Sequence, residues 1–176
     1  MFPTMKTPRL LLVSFSTVMA AAQSKNLPGW AEAAFAKKGL NKKFTITNSF
    51  KPDQLKADFN GDKEADIAIP VVEISTKKKG ILVIHGKTED HFLLGAGKEF
   101  GNVGDDFDWM NKWSLYKKKT ASETQFDKNS GDILGSKEVK LERPAILIQH
   151  AEKGAANAGG LIYWNGKRYT WIHQGT

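Results

Sequence analysis

The spacing of apolar residues changes once along this chain. In residues 27–38, Trp30 and Phe35 fall near one face of a helix, residues 31–36 are good helix formers, Pro28 suits a first turn and Gly39 can cap the end. From Lys43 onward the apolar residues come in short β-branched and aromatic runs separated by Gly, Asn and Asp, which is the pattern of antiparallel strands. Strands are predicted at 44–47, 66–75, 80–85, 91–94, 113–117, 145–150, 160–164 and 168–173.

Two turns order these strands. Asn165-Gly166 separates the last two runs, and this pair tolerates the positive φ of a tight hairpin turn. Lys77-Lys78-Lys79-Gly80 separates 67–74 from 81–84, which predicts a second hairpin with its lysines at an exposed tip. Residues 117–142 are polar, with Phe126, Ile133, Leu134 and Leu141 as their large apolar side chains, and read as a long loop or peripheral excursion. The fold class expected is α+β, mainly antiparallel β: a short N-terminal helix packed on a β-meander. No repeat is evident, which excludes a complete propeller within the chain.

The first residues belong to a different grammar. Lys6 and Arg9 precede an apolar or small-residue run from Leu10 that ends in Ala20-Ala21-Ala22, with small residues where signal peptidase needs them. The expectation is a signal peptide at 1–22, cleavage before Gln23 and a single exported domain at 23–176, periplasmic or extracellular. The apolar run is too short for a permanent span. The chain has no cysteine, so disulfides, a lipid-modified cysteine, thiolate metal sites and thiol nucleophiles are excluded.

Charge narrows the partner class. The formal net charge is +7, lowered by two when Lys6 and Arg9 are removed. The excess lies in short lysine runs, and the mature chain has only Arg143 and Arg168 as arginines, which argues against a nucleic-acid surface of interleaved arginines and aromatics. The expected partner is a protein or an envelope glycan.

The segment Asp58-Phe59-Asn60-Gly61-Asp62-Lys63-Glu64-Ala65-Asp66 places oxygen side chains at alternating positions. Calcium takes about six to eight hard oxygen ligands, and such spacing points several at one centre. Followed by the strand entry Ile67-Ala68-Ile69, the segment resembles the calcium loop of FG-GAP repeats over about residues 54–71. The resemblance implies that Asp58, Asn60, Asp62 and Asp66 supply side-chain oxygens, that Glu64 supplies its carbonyl, and that Ca2+ is structural. Lys63 stands where that family has glycine. An EF-hand is excluded, because position 12 is Ile69 rather than a bidentate Glu and a strand follows. Gathered without a cation, the three aspartates would repel one another. The competing reading is a turn whose Asx side chains cap their own backbone.

Three carboxylates, Asp105, Asp106 and Asp108, gather beside Trp109 and Trp113. They read as a recognition loop or as a turn beside two tryptophans on one buried helical face. Asp127-Lys128-Asn129-Ser130-Gly131-Asp132 begins like a second cation loop, but its glycine and hydrophobic positions do not fit one. No nucleophile elbow or metalloprotease spacing involves His85, His91, His150 or His173. Three functions follow from these features. The first is an exported, non-catalytic, calcium-binding module of inhibitor or immunity type. The second is a secreted hydrolase pairing His150 with Asp105 or Asp108, and the third is a passive envelope protein.

Overall fold

The computed structural model describes residues 27–153 and 155–175, so the signal segment expected at 1–22 lies outside the described residues. One helix, α1 (Gly29–Lys37), opens the described chain, and Gly39 ends its turn in the left-handed region at φ 68°. Eleven strands follow: β1 (Phe44–Ile46), β2 (Leu55–Ala57), β3 (Asp66–Glu73), β4 (Lys79–Ile84), β5 (His91–Gly95), β6 (Lys112–Tyr116), β7 (Thr120–Phe126), β8 (Ile133–Lys140), β9 (Ala145–Glu152), β10 (Ala155–Trp164) and β11 (Tyr169–Gln174). All the pairings between them are antiparallel.

A first sheet runs β1-β3-β4-β5 with β2 also on β3, a second runs β11-β10-β9-β6, and β7 and β8 form a separate ribbon. The layers explain the composition of each strand. Ala31, Ala34 and Phe35 of α1 cover Ile67, Ile69, Val71, Leu82 and Ile84 on one face of the first sheet. Leu55, Phe59, Ala68, Ile81 and Val83 on its other face meet Trp113, Ile146, Ile148 and Ile162 of the second. With both faces covered, β3 and β4 read as continuous apolar runs rather than alternating ones. Pro70 fits inside β3 because β1 pairs with residues 71–73 and β2 with 66–68, leaving its missing N–H in the gap between the two partners.

Of the two expectations for the stretch 117–142, a long loop or a peripheral excursion, the second holds. It is no loop but the β7–β8 ribbon, which lays Ala121 and Val139 over Leu161, Tyr163 and Ile172 on the outer face of the second sheet. The alternation that would reveal it is absent, since β8 is exposed along most of its length and Ile133 and Leu134 are 47% and 68% exposed. A correction concerns Trp109 and Trp113, which share no helix: Trp109 lies in a turn and Trp113 on β6.

The β10–β11 hairpin forms as expected, shifted by one residue. Gly166 carries the positive φ, at 98°, while Asn165 caps the turn by accepting from the Lys167 and Arg168 N–H groups at 3.0 Å. One flank of the sandwich is stitched where Trp113 Nε1 donates to the Pro52 carbonyl at 2.8 Å. On the other flank the terminal strands β5 and β11 line the two sides of a cleft.

Candidate functional site

The 58–66 loop is a chain of side-chain-capped turns. Asp58 Oδ1 accepts from the N–H groups of Gly61 at 2.6 Å and Asp62 at 3.1 Å, and its Oδ2 accepts from Lys63 at 2.9 Å. Asn60 Oδ1 accepts from the Asp62 N–H at 2.9 Å and Asp62 Oδ1 from the Glu64 N–H at 2.8 Å. The Glu64 N–H, ahead of the other influences, holds the Asp62 carboxyl below its ordinary range. Lys63 takes φ 72°, a left-handed conformation in which its side chain carries a steric cost that glycine would not.

Asp66 closes the loop from inside. It is fully buried, and its Oδ2 accepts from the Phe59 and Asn60 N–H groups at 2.8 and 3.2 Å while its Oδ1 accepts from the Gly86 N–H at 3.0 Å. Burial pushes its carboxyl upward, against the pull of those three N–H groups and of His85. A Cβ added to Gly61 would lie 2.9 Å from Arg143 Nε, so the guanidinium rests on the loop. Its Nη1 donates to the Trp164 carbonyl at 3.1 Å. The loop therefore touches the β4–β5 turn through Asp66 and the second sheet through Arg143.

As metal ligands these groups fit a hard cation by donor chemistry, because each carboxylate oxygen offers more than one lone pair and accepting an N–H leaves another direction open. Their present aim is inward, at the backbone. Among the described residues no three His, Cys, Asp or Glu side chains are gathered as a metal cage. Glu64 is exposed at the loop's end.

Beside Asp66 lies a constellation that no sequence motif announces. His85 is 3% exposed and its Nε2 is 2.9 Å from the Tyr169 hydroxyl. Phe92 and Trp164 pack on the imidazole with ring centroids 4.7 and 5.1 Å away. Burial pushes His85 down, with the Asp66 carboxylate pulling the other way, and lifts Tyr169 well above its usual range. The signal for His85 was a polar residue closing an apolar run; its partner comes from the far end of the chain.

The carboxylates near the tryptophans are engaged. Asp105 pairs with Lys78 and Asp108 with Lys79, while Asp106 Oδ1 accepts from the Lys79 and Asp108 N–H groups at 2.9 and 3.0 Å. Hydrogen bonding from Asp105 is the main influence raising the Lys78 ammonium above its ordinary value. Two of the three lysines expected at a solvated hairpin tip are thus stapled to this acidic loop. Trp113 is 2% exposed and Trp109 half-buried.

His150 Nδ1 lies 2.8 Å from the Trp109 carbonyl and Nε2 3.3 Å from Glu152 Oε1, so both ring nitrogens have partners other than Asp105 and Asp108. The Trp109 carbonyl, then Glu152, raises its pKa. Asp127 caps the β7–β8 turn, accepting from the Asn129 and Ser130 N–H groups at 2.8 and 2.9 Å.

A cleft of about 600 Å³ lies between residues 92–94 and residues 168–171 and is also lined by Phe100, Gly101 and Asn102. Its floor is aromatic and its rim carries Lys98, Glu99 and Arg168. The chain matches no protein-family model, no curated protein and no solved structure. Among the described residues no helix is long and apolar enough to cross a membrane.

Proposed function

We propose that the protein is an exported, non-catalytic binding module of the cell envelope, with calcium at the 58–66 loop as a structural brace. The observation that carries the reading is the position of that loop. Through Asp66 and Gly86 it fixes the β4–β5 turn, and through Gly61 and Arg143 it meets the second sheet. A cation held there by Asp58, Asn60, Asp62 and Asp66, with the Glu64 carbonyl, would offset carboxylate repulsion at a junction of the fold. Its chemistry there is charge neutralisation alone, as in the FG-GAP loops that the segment resembles.

The binding role draws support from His150 and from the cleft. His150, which the hydrolase reading pairs with Asp105 or Asp108, is held instead by the Trp109 carbonyl and Glu152. The cleft has an aromatic floor and a charged rim, a composition suited to holding a partner. Titrating metal-free protein with calcium, followed by calorimetry and thermal melting, tests the brace. If the dissociation constant is about 0.1 mM, as for extracellular modules, about 1 mM calcium adds roughly 1.4 kcal/mol. An identical melt with calcium and with chelator, together with no binding heat, sinks it. Affinity capture from envelope and secreted fractions tests the binding role; hydrolytic activity with no captured partner reverses it.

A further inference from the structure

The flank between β5 and β11 has a property beyond its shape. β5 ends the first sheet, and its ladder with β4 fixes which backbone groups are free. The His85 N–H donates to the Asp90 carbonyl and the Ala96 N–H to the Lys79 carbonyl, both at the register in which residue numbers 81 and 94 face each other. By the alternation of an antiparallel ladder, Phe92, Leu94 and Ala96 turn their N–H and C=O groups toward β4, and His91, Leu93 and Gly95 turn theirs outward. Gly95 is closed off by mutual bonds with Lys98 at 3.0 and 3.1 Å. Among the described residues, what is left is a short open edge at His91 and Leu93, and Leu93 lines the cleft.

We propose that this cleft is a strand-addition site, which takes an extended, acidic peptide segment of a partner protein along the free edge of β5. Main-chain hydrogen bonds to Leu93 and His91 hold the added strand. Its alternate side chains, facing the interior of the sandwich, rest on Phe92, Phe100, Tyr169 and Trp171. Charge selects the occupant: of the cleft-lining residues, Arg168 and Lys98 are exposed without an ion-pair partner among the described residues, against the carboxylate of Glu99. An acidic side chain on the incoming strand meets that excess. The proposal rests on the binding-module reading and names its partner chemistry.

The test is a phage-displayed library of random octapeptides panned against the protein, with Leu93→Pro as counter-selection. Because the Leu93 N–H points outward, proline there removes the docking donor without removing a bond to β4, and circular dichroism checks that the fold is kept. Arg168→Glu supplies a second variant should Leu93→Pro fail to fold. The expected result is selected peptides with alternating apolar residues and at least one Asp or Glu, free of proline, that bind either variant at least about tenfold more weakly. Selected peptides that bind both variants as tightly as the parent overturn the strand-addition site while leaving a binding module. Basic selected peptides overturn it as well. An empty selection beside a blank envelope capture overturns both readings.

Discussion

The Gly86 N–H donates to Asp66 Oδ1 at 3.0 Å, joining the turn after β4 to the loop before β3 through a carboxylate that is wholly shielded from water. Three backbone donors converge on this one side chain. Asp66→Ala leaves them without an acceptor in the interior and is expected to cost about 3–5 kcal/mol, a large part of a domain's total stability. Asp66→Asn keeps one acceptor oxygen and should cost less. Urea denaturation measures both; equal, small losses would mean that the loop holds without its central carboxylate.

Lys63 offers the opposite kind of change. It occupies φ 72° with an exposed side chain, so Lys63→Gly removes a steric cost at the price of a freer unfolded chain. The expected gain is about 0.5–1 kcal/mol, read as a higher melting temperature. If calcium binds, its affinity should rise in the same variant, because the turn then needs less distortion around the ion.

His85 should make stability depend on pH. Its pKa in the fold is pushed below the ordinary 6.5, mainly by burial, so the unfolded chain takes up the proton first as pH falls. The stabilisation from neutral His85 is therefore complete above about pH 6.5 and is lost progressively below it, until the folded imidazole also protonates. Asp66 has the opposite sign: its raised carboxyl favours the fold at low pH and loses that contribution as pH rises through its folded value. Urea midpoints between pH 5 and 7.5 should fall toward acid in the parent and less steeply in His85→Gln. A parallel slope in both proteins would remove His85 as the cause.

The acidic loop separates two kinds of contact. Asp106 accepts from two backbone N–H groups, whereas the Asp108 pair with Lys79 is exposed, at 68% and 48% of the respective side chains. Asp106→Ala is expected to cost about 1–2 kcal/mol and Asp108→Ala about 0–1 kcal/mol, the latter shrinking further in salt. Reversed magnitudes would show that the ion pairs, not the turn, hold this loop on the β3–β4 hairpin.

Elements whose burial is continuous or one-sided were legible in the sequence. The runs that became β3, β4, β9 and β10, the helix ending at Gly39 and the hairpin at Gly166 follow from local residue type. The ribbon at Thr120 was not, because a strand with Ile133 and Leu134 in solvent and Lys137 and Glu138 beside them has no buried face to write a period. Of the loop, the run of Asx residues was visible, but not that Asp66 would reach Gly86 or that Arg143 would lie on Gly61. The pairing of Lys78 with Asp105 and of His85 with Tyr169 likewise depends on where the chain returns, which spacing along it does not encode.

The strands also differ in how far the chain must travel to pair them. β2, β3, β4 and β5 pair largely with their sequence neighbours, whereas β6 finds β9 only after the whole β7–β8 ribbon has been made. Closing a long loop before any contact rewards it slows assembly. β6 is thus expected to join its sheet late, after the local β2–β5 and β9–β11 meanders have formed. In stopped-flow refolding, strand-type circular dichroism should rise before the Trp113 signal, which reports β6 reaching its place between the sheets.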